Sequence, residues 1–353
     1  MAVHVRHKDR KTGALLLTPI ERAAPRLLII DALRGIAALS VAWFHLSHVM
    51  GLVPVGPTIL YHSGTWGWIG VEVFFVISGF VIPWALDRAK YSLHEYPRFL
   101  VKRIVRLDPP YLLSVLAYII LAAYFAHATH TKFPYTAVQM LLHLGYLNVF
   151  FGYLWVNPVY WTLAIEIQYY VLVGLAFPLI KKPLWCWLFI APVFLELGIL
   201  MPSLKFIFRF APYFLMGIAA FHHRRGSISK AWFLLIVPVL GYLGGTGPLS
   251  LAWVTGTVCV IACMAIAFVD RPPPKPLLAL GSISYSLYLM HGPVGYTVAS
   301  IIVRRLPWVP AWIEMIVAII ASVVAAWVLY RFVELPSQRL SSRIRYRSVT
   351  ARA

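Results

Sequence analysis

The chain has 353 residues, of which 61% are hydrophobic and only 12% charged, and its mean hydropathy is +0.78. A water-soluble domain carries about 25% charged residues, so the excess apolar surface here must face lipid rather than water. Disordered, collagen-like and coiled-coil classes are excluded. The formal net charge of +19 does not indicate nucleic acid as a partner, because the basic residues sit in short connections between apolar runs.

Residues 1–26 are polar and basic and lack the apolar core of a cleaved signal peptide, so the first apolar run is expected to remain as an anchor. A helix needs about 20 apolar residues to cross about 30 Å of hydrocarbon. Such runs fall at 27–49, 66–87, 109–128, 159–180, 184–202, 206–222, 231–247, 249–269, 277–302 and 310–332. The expected fold is therefore an all-α polytopic membrane bundle of about ten transmembrane helices. Its parts are an N-terminal segment (1–26), a transmembrane domain (27–332) and a basic tail (333–353). The run 136–156 is apolar too, but His143, Asn148, Asn157 and Pro158 in and beside it predict a re-entrant or interfacial loop.

Charge orients the bundle. With ten spans, 25 Lys and Arg residues lie on the side of the termini and 5 on the other, with Arg34 inside the first helix. That asymmetry predicts cytoplasmic termini, and an eleventh span would reverse everything after it. Cys186, Cys259 and Cys263 lie in apolar runs with no Cys-x-x-Cys pair and read as small buried residues. No metal-ligand set is expected.

Ionisable groups at membrane depth cost at least about 2.5–3.5 kcal/mol each, which makes them functional candidates. Four stand out: His45, Glu72, Glu166 and His291. Arg34 and His45 are eleven positions apart on the first helix, hence on one face and roughly 16 Å apart along the axis. Arg34 could alternatively pair with Asp31 at the helix end. Helical rise puts Glu72, Glu166 and His291 at a similar depth in the outer half, on three further helices. A carboxylate beside a histidine orients its tautomer and stabilises its charged form, as a general base requires. The stretch Arg98 to Pro110 is a basic, amphipathic cytoplasmic loop; Arg103 and Arg106, at i, i+3, suit a phosphate-rich ligand or lipid headgroups equally.

These segments resemble the acyltransferase-3 family of integral-membrane O-acyltransferases. Arg34, ten residues and His45 match its first-helix signature. Gly70 to Phe80, Arg103 and Arg106 before Pro109-Pro110-Tyr111, Trp161 to Tyr170, Leu280 to His291, and Phe332-Val-Glu334-Leu-Pro336 follow in family order. Glu72, Thr162, Tyr169 and Asp108 depart mildly from the usual residues. The resemblance implies transfer of an acyl group, often acetyl, from cytoplasmic acyl-CoA to a hydroxyl of a carbohydrate, a lipid-linked glycan or a macrolide. It implies a bacterial inner membrane and no permanently bound cofactor. Arg103, Arg106 and Arg34 would hold the CoA phosphates. His45 would deprotonate the acceptor or first accept the acyl group, Glu166 or Glu72 would orient it, and His291 would assist at the thioester or act as a second base. The competing readings are a proton-coupled transporter using the same His and Glu groups, and a non-catalytic export scaffold.

Overall fold

The computed structural model describes residues 27–48, 59–245 and 252–346. The expected segment 1–26, the end of the tail from 347 onward, and the junction of the predicted runs 231–247 and 249–269 lie outside the described residues. Every regular element among the described residues is helical. The main helices are α1 (Leu28–His48), α2 (Gly70–Arg88), α3 (Tyr96–Ala128), α4 (Trp161–Ile180), α5 (Pro183–Leu200), α6 (Ala211–Arg224), α7 (Lys230–Gly244), α8 (Ala252–Phe268), α9 (Ser284–Arg305) and α10 (Ala311–Arg343). Each occupies a run predicted from apolarity. Seven of the described helical stretches, those containing α1 to α5, α9 and α10, are long and apolar enough to cross a membrane; α7 and α8 are apolar but shorter.

Two helix ends differ from expectation. The basic stretch before residue 109 is not a loop: α3 begins at Tyr96 and runs through Pro109 and Pro110 without ending. The prolines remove two N–H donors, and beside them Tyr285 donates its hydroxyl to the Leu107 carbonyl at 2.9 Å. At the other end, α10 continues past residue 332 through a π turn, Tyr330–Glu334, to Arg343. Its last turns lie against α3, where Ser341 donates to the Lys102 carbonyl at 2.8 Å. Charge made both stretches look like connections, whereas their apolar faces are packed.

Small residues set the closest approaches. A Cβ on Gly79 of α2 would overlap the Phe214 carbonyl of α6, and one on Gly217 would overlap the Val76 carbonyl. This glycine-to-backbone contact locks α2 to α6 and fixes which face of α2 points elsewhere. Gly35 likewise meets Gly281, in the short helix Lys275–Ser282 that precedes α9, so α1 is held against that helix at the position next to Arg34.

The segment between α3 and α4 does form a loop, and its longest helix, Ala137–Leu142, has six residues. His143, completely buried, organises it. The Val156 amide donates to Nε2 at 3.2 Å and Nδ1 meets Asn148 Oδ1 at 2.6 Å, so Nδ1 carries the proton. Trp155 stacks on the ring, with ring centres 5.5 Å apart. Burial pushes the imidazole pKa down to about 4.

Candidate active site

A cavity of about 100 Å³ lies among α1, α2, α3, α4 and α9. Arg34, Arg103 and Arg106 all line it, together with Ser78, Thr162, Glu166, Tyr170, Tyr285 and Tyr288. The i, i+3 spacing of Arg103 and Arg106 puts both on the inner face of α3, and the seating of α1 on Gly281 brings Arg34 to join them. The Arg103 guanidinium lies over Phe99 (5.4 Å) and Tyr170 (5.6 Å), and its Nε is buried without a hydrogen-bond partner.

Two carboxylates serve this cluster. Glu166 accepts hydrogen bonds from the hydroxyls of Ser78 (3.2 Å) and Tyr170. Glu334, at the π turn of α10, accepts from Ser286 (2.6 Å) and Gln338 (2.9 Å) and lies within electrostatic reach of Arg34 and Arg106. Among the described residues, the three arginines outnumber these two carboxylates, which leaves the site positive with an unsatisfied donor inside it. That is the electrostatics of an anion site, and planar guanidinium groups suit phosphate oxygens best.

Farther along α1 and α9 the two predicted histidines meet: the rings of His45 and His291 are 5.1 Å apart between centres, tilted by 37°. His45 Nδ1 lies 2.9 Å from the Val41 carbonyl and His291 Nδ1 lies 3.2 Å from that of Leu287, each one helical turn back. A carbonyl only accepts, so each Nδ1 carries a proton and each Nε2 keeps its lone pair. His291 is completely buried and its Nε2 has no partner, while His45 is half-buried. Tyr288 connects the two regions. It lines the arginine cavity, packs against the His291 ring at 5.8 Å, and shares a 2.8 Å hydrogen bond with Thr162.

The expected pairing of histidine with carboxylate is not formed: among the described residues no hydrogen bond or ion pair joins Glu166 or Glu72 to either imidazole. Glu166 points into the arginine cavity. Glu72 lies outside the cavity lining; it is buried, its Oε2 is unpartnered, and Tyr213 of α6 and Cys259 of α8 lie within its electrostatic reach. The reason is rotational. Phe74, Ser78 and Val81 form the cavity face of α2, whereas Glu72 shares the opposite face with Gly79, which is fastened to α6. Ser78, Tyr285, Tyr288 and Glu334 were not anticipated as site residues. Tyr288 sits three positions before His291, a helical spacing that reveals it, and Glu334 is an ionisable residue adjoining an apolar run.

The family model described as an acyltransferase domain matches residues 27–331. The chain belongs to this acyltransferase family. It is accordingly an enzyme, and neither the transporter nor the scaffold reading is retained. Among relatives, a protein of Acidianus two-tailed virus, ORF330, described as an inferred acetyltransferase, is 28% identical over 289 residues, covering 74% of this chain and 81% of its own. The O-acetyltransferase OatA of Staphylococcus aureus is 27% identical over 367 residues, covering 90% of this chain. The match spans 58% of the OatA length. Protein 2 in the picA locus of Rhizobium radiobacter is 34% identical over 101 residues, 28% of this chain and 46% of that protein. No solved structure matches the chain.

Proposed function

We propose that the protein is a membrane O-acetyltransferase that moves an acetyl group from acetyl-CoA to a hydroxyl of a carbohydrate or other cell-envelope or secreted acceptor, macrolides included. The reading includes ten membrane crossings in a bacterial inner membrane with both termini cytoplasmic, supported by the distribution of 25 cations against 5. The arginine cavity then faces the cytoplasm, where acyl-CoA is made, and the histidine pair lies toward the outer half.

One observation carries the proposal. A single helix, α1, delivers Arg34 to a three-arginine cavity and His45 to a histidine pair, eleven residues and roughly 16 Å apart along its axis. Arg34, Arg103 and Arg106 take the phosphates of CoA, and the pantetheine arm extends past Tyr288 toward the histidines. His45 Nε2 removes the acceptor's hydroxyl proton as the oxygen attacks the thioester carbonyl. The new C–O bond forms, the C–S bond breaks, and the proton passes from His45 to the departing CoA sulfur. His291 Nε2, buried against His45, serves as the second base. Glu166 balances the cations and holds Tyr170 beneath Arg103.

The test compares membranes bearing wild type and His45→Ala at matched expression, measuring CoA released from acetyl-CoA in the presence of crude envelope glycans. Glycan-dependent release that disappears in the variant is expected. Equal release from both would remove His45 from the chemistry.

A further inference from the structure

A second recess lies along the same two helices, and neither the chemistry above nor the family membership assigns it a role. On α3, Arg103 and Arg106 line the arginine cavity while Tyr118 and Phe125, farther along, line a groove of about 380 Å³ with Thr129 just past the helix end. On α9 the order is the same: Tyr285 and Tyr288 line the cavity, His291 follows, and Gly292 and Tyr296 line the groove. His291, which packs against His45, therefore falls along α9 between the residues that line the two recesses. The volume falls in the range of about 300–1,000 Å³ typical of small-ligand sites.

The groove begins in the π turn His291–Tyr296, the kind of widened turn that often marks a functional position. At Gly292 the helix comes unusually close to polar groups: a Cβ there would lie 3.1 Å from Asn157 Nδ2 and 3.2 Å from the Tyr118 hydroxyl. Asn157 is completely buried and lies against Gly292 rather than in the groove lining. The Thr297 hydroxyl donates back to its own helix, to Pro293 (2.6 Å), which leaves its lone pairs to accept, whereas the Thr129 hydroxyl donates to Phe125 (2.7 Å) and is shared with Thr131 (3.0 Å). Exposed Arg304 lines the outer part.

We propose that this groove is the acceptor site and that its occupant is a sugar ring of a glycan, seated so that one hydroxyl reaches the histidine pair. The inference rests on the transferase reading above and adds to it the place and chemistry of the acceptor. Aromatic faces cover the apolar side of a pyranose, and the hydroxyls of Tyr118, Tyr296, Thr297 and Ser300 match its ring of hydroxyls. A lipid tail would use none of these polar groups, and leaving them unpaired against hydrocarbon would disfavour it. Arg304 favours a glycan bearing an acidic substituent.

Binding separates this proposal from the transfer reading. Purified protein in nanodiscs is titrated calorimetrically with chitotetraose, a neutral probe, and with tetragalacturonate, an acidic one. Wild type and His45→Ala are expected to bind at least one probe equally. Ser300→Trp, which fills the groove, and Tyr118→Phe, which removes one hydroxyl while keeping the fold, should weaken binding at least tenfold and a few-fold, with acetyl-CoA binding retained. Equal binding by Ser300→Trp, no binding of either probe to wild type, or a co-purifying phospholipid displaced by Ser300→Trp would each overturn the proposal. Glycan binding without any CoA release would leave the groove standing and refute the transfer reading instead.

Discussion

Arg103→Met separates ligand binding from folding more sharply than any other change in the cavity. The wild-type guanidinium is stacked on Phe99 and Tyr170, its Nε is buried without a partner, and Arg34 and Arg106 share its cavity. Removing it forfeits two cation–π contacts of about 0.5–2 kcal/mol each. It also relieves like-charge repulsion and an unsatisfied buried donor, itself worth about 1–3 kcal/mol. These terms oppose one another, so the ligand-free protein should melt within a few degrees of wild type. CoA binding has no such compensation. A charge-assisted hydrogen bond is worth about 1.5–3 kcal/mol, and at about 1.4 kcal/mol per tenfold the dissociation constant for CoA should rise about 10- to 140-fold. Arg103→Lys keeps the charge but loses the planar, stacked fork and should recover only part of this. Calorimetric titration of CoA into nanodisc-embedded protein, paired with thermal melts, measures both quantities. A CoA affinity unchanged in Arg103→Met would refute the assignment of the cavity to the donor's phosphates.

Glu334→Gln removes a buried carboxylate that lies within electrostatic reach of Arg34 and Arg106. Its melting temperature should fall, and saturating CoA, whose phosphates restore the balance, should raise it more than it raises wild type. A variant that melts with wild type would deny Glu334 that role. Glu72→Gln should keep turnover within a few-fold of wild type, since the carboxylate faces α6 and α8; a loss in the ~10²–10⁴-fold range of general acid–base catalysis would return Glu72 to the reaction. His143 contributes a pH dependence. Its folded pKa of about 4 lies below the ordinary 6.5, so the unfolded chain binds more protons between those values and stability falls as pH falls through that window. His143→Asn should flatten that part of a plot of melting temperature against pH.

Much of the architecture was legible because lipid enforces it. Each predicted apolar run is occupied by a helix, since burying backbone polar groups in hydrocarbon leaves a chain few other choices. The start of α3 and the end of α10 were less legible, because basic residues there look like connecting loops until the packed face is seen. Within the site, relations along one helix could be computed in advance: Arg34 with His45, and Arg103 with Arg106, follow from rise and rotation alone. Relations between helices could not. Glu72 lies on the face of α2 away from the cavity, and what turned it away is the contact of Gly79 with Phe214 on a helix 135 positions farther along the chain. Depth is a one-dimensional property of sequence, whereas facing depends on which two helices touch.

The histidine pair has a consequence for the order of events that a histidine–carboxylate pair would not. With Nδ1 of each ring donating to a main-chain carbonyl, no carboxylate among the described residues hydrogen-bonds to either imidazole to stabilise a charged form. An imidazolium at His45 would lie against a second imidazole inside an apolar bundle, where an uncompensated charge is costly. On the proposed reading, this environment disfavours any intermediate that stores positive charge on the ring, an acyl-imidazolium included. It favours a proton that arrives from the acceptor hydroxyl and leaves with the CoA sulfur in one continuous passage. The acceptor must then be seated before the thioester is opened, so donor and acceptor should bind in a ternary complex, with intersecting rather than parallel double-reciprocal kinetics. Parallel lines, or an acetyl group trapped on His45 in the absence of acceptor, would show that the ring carries the charge after all.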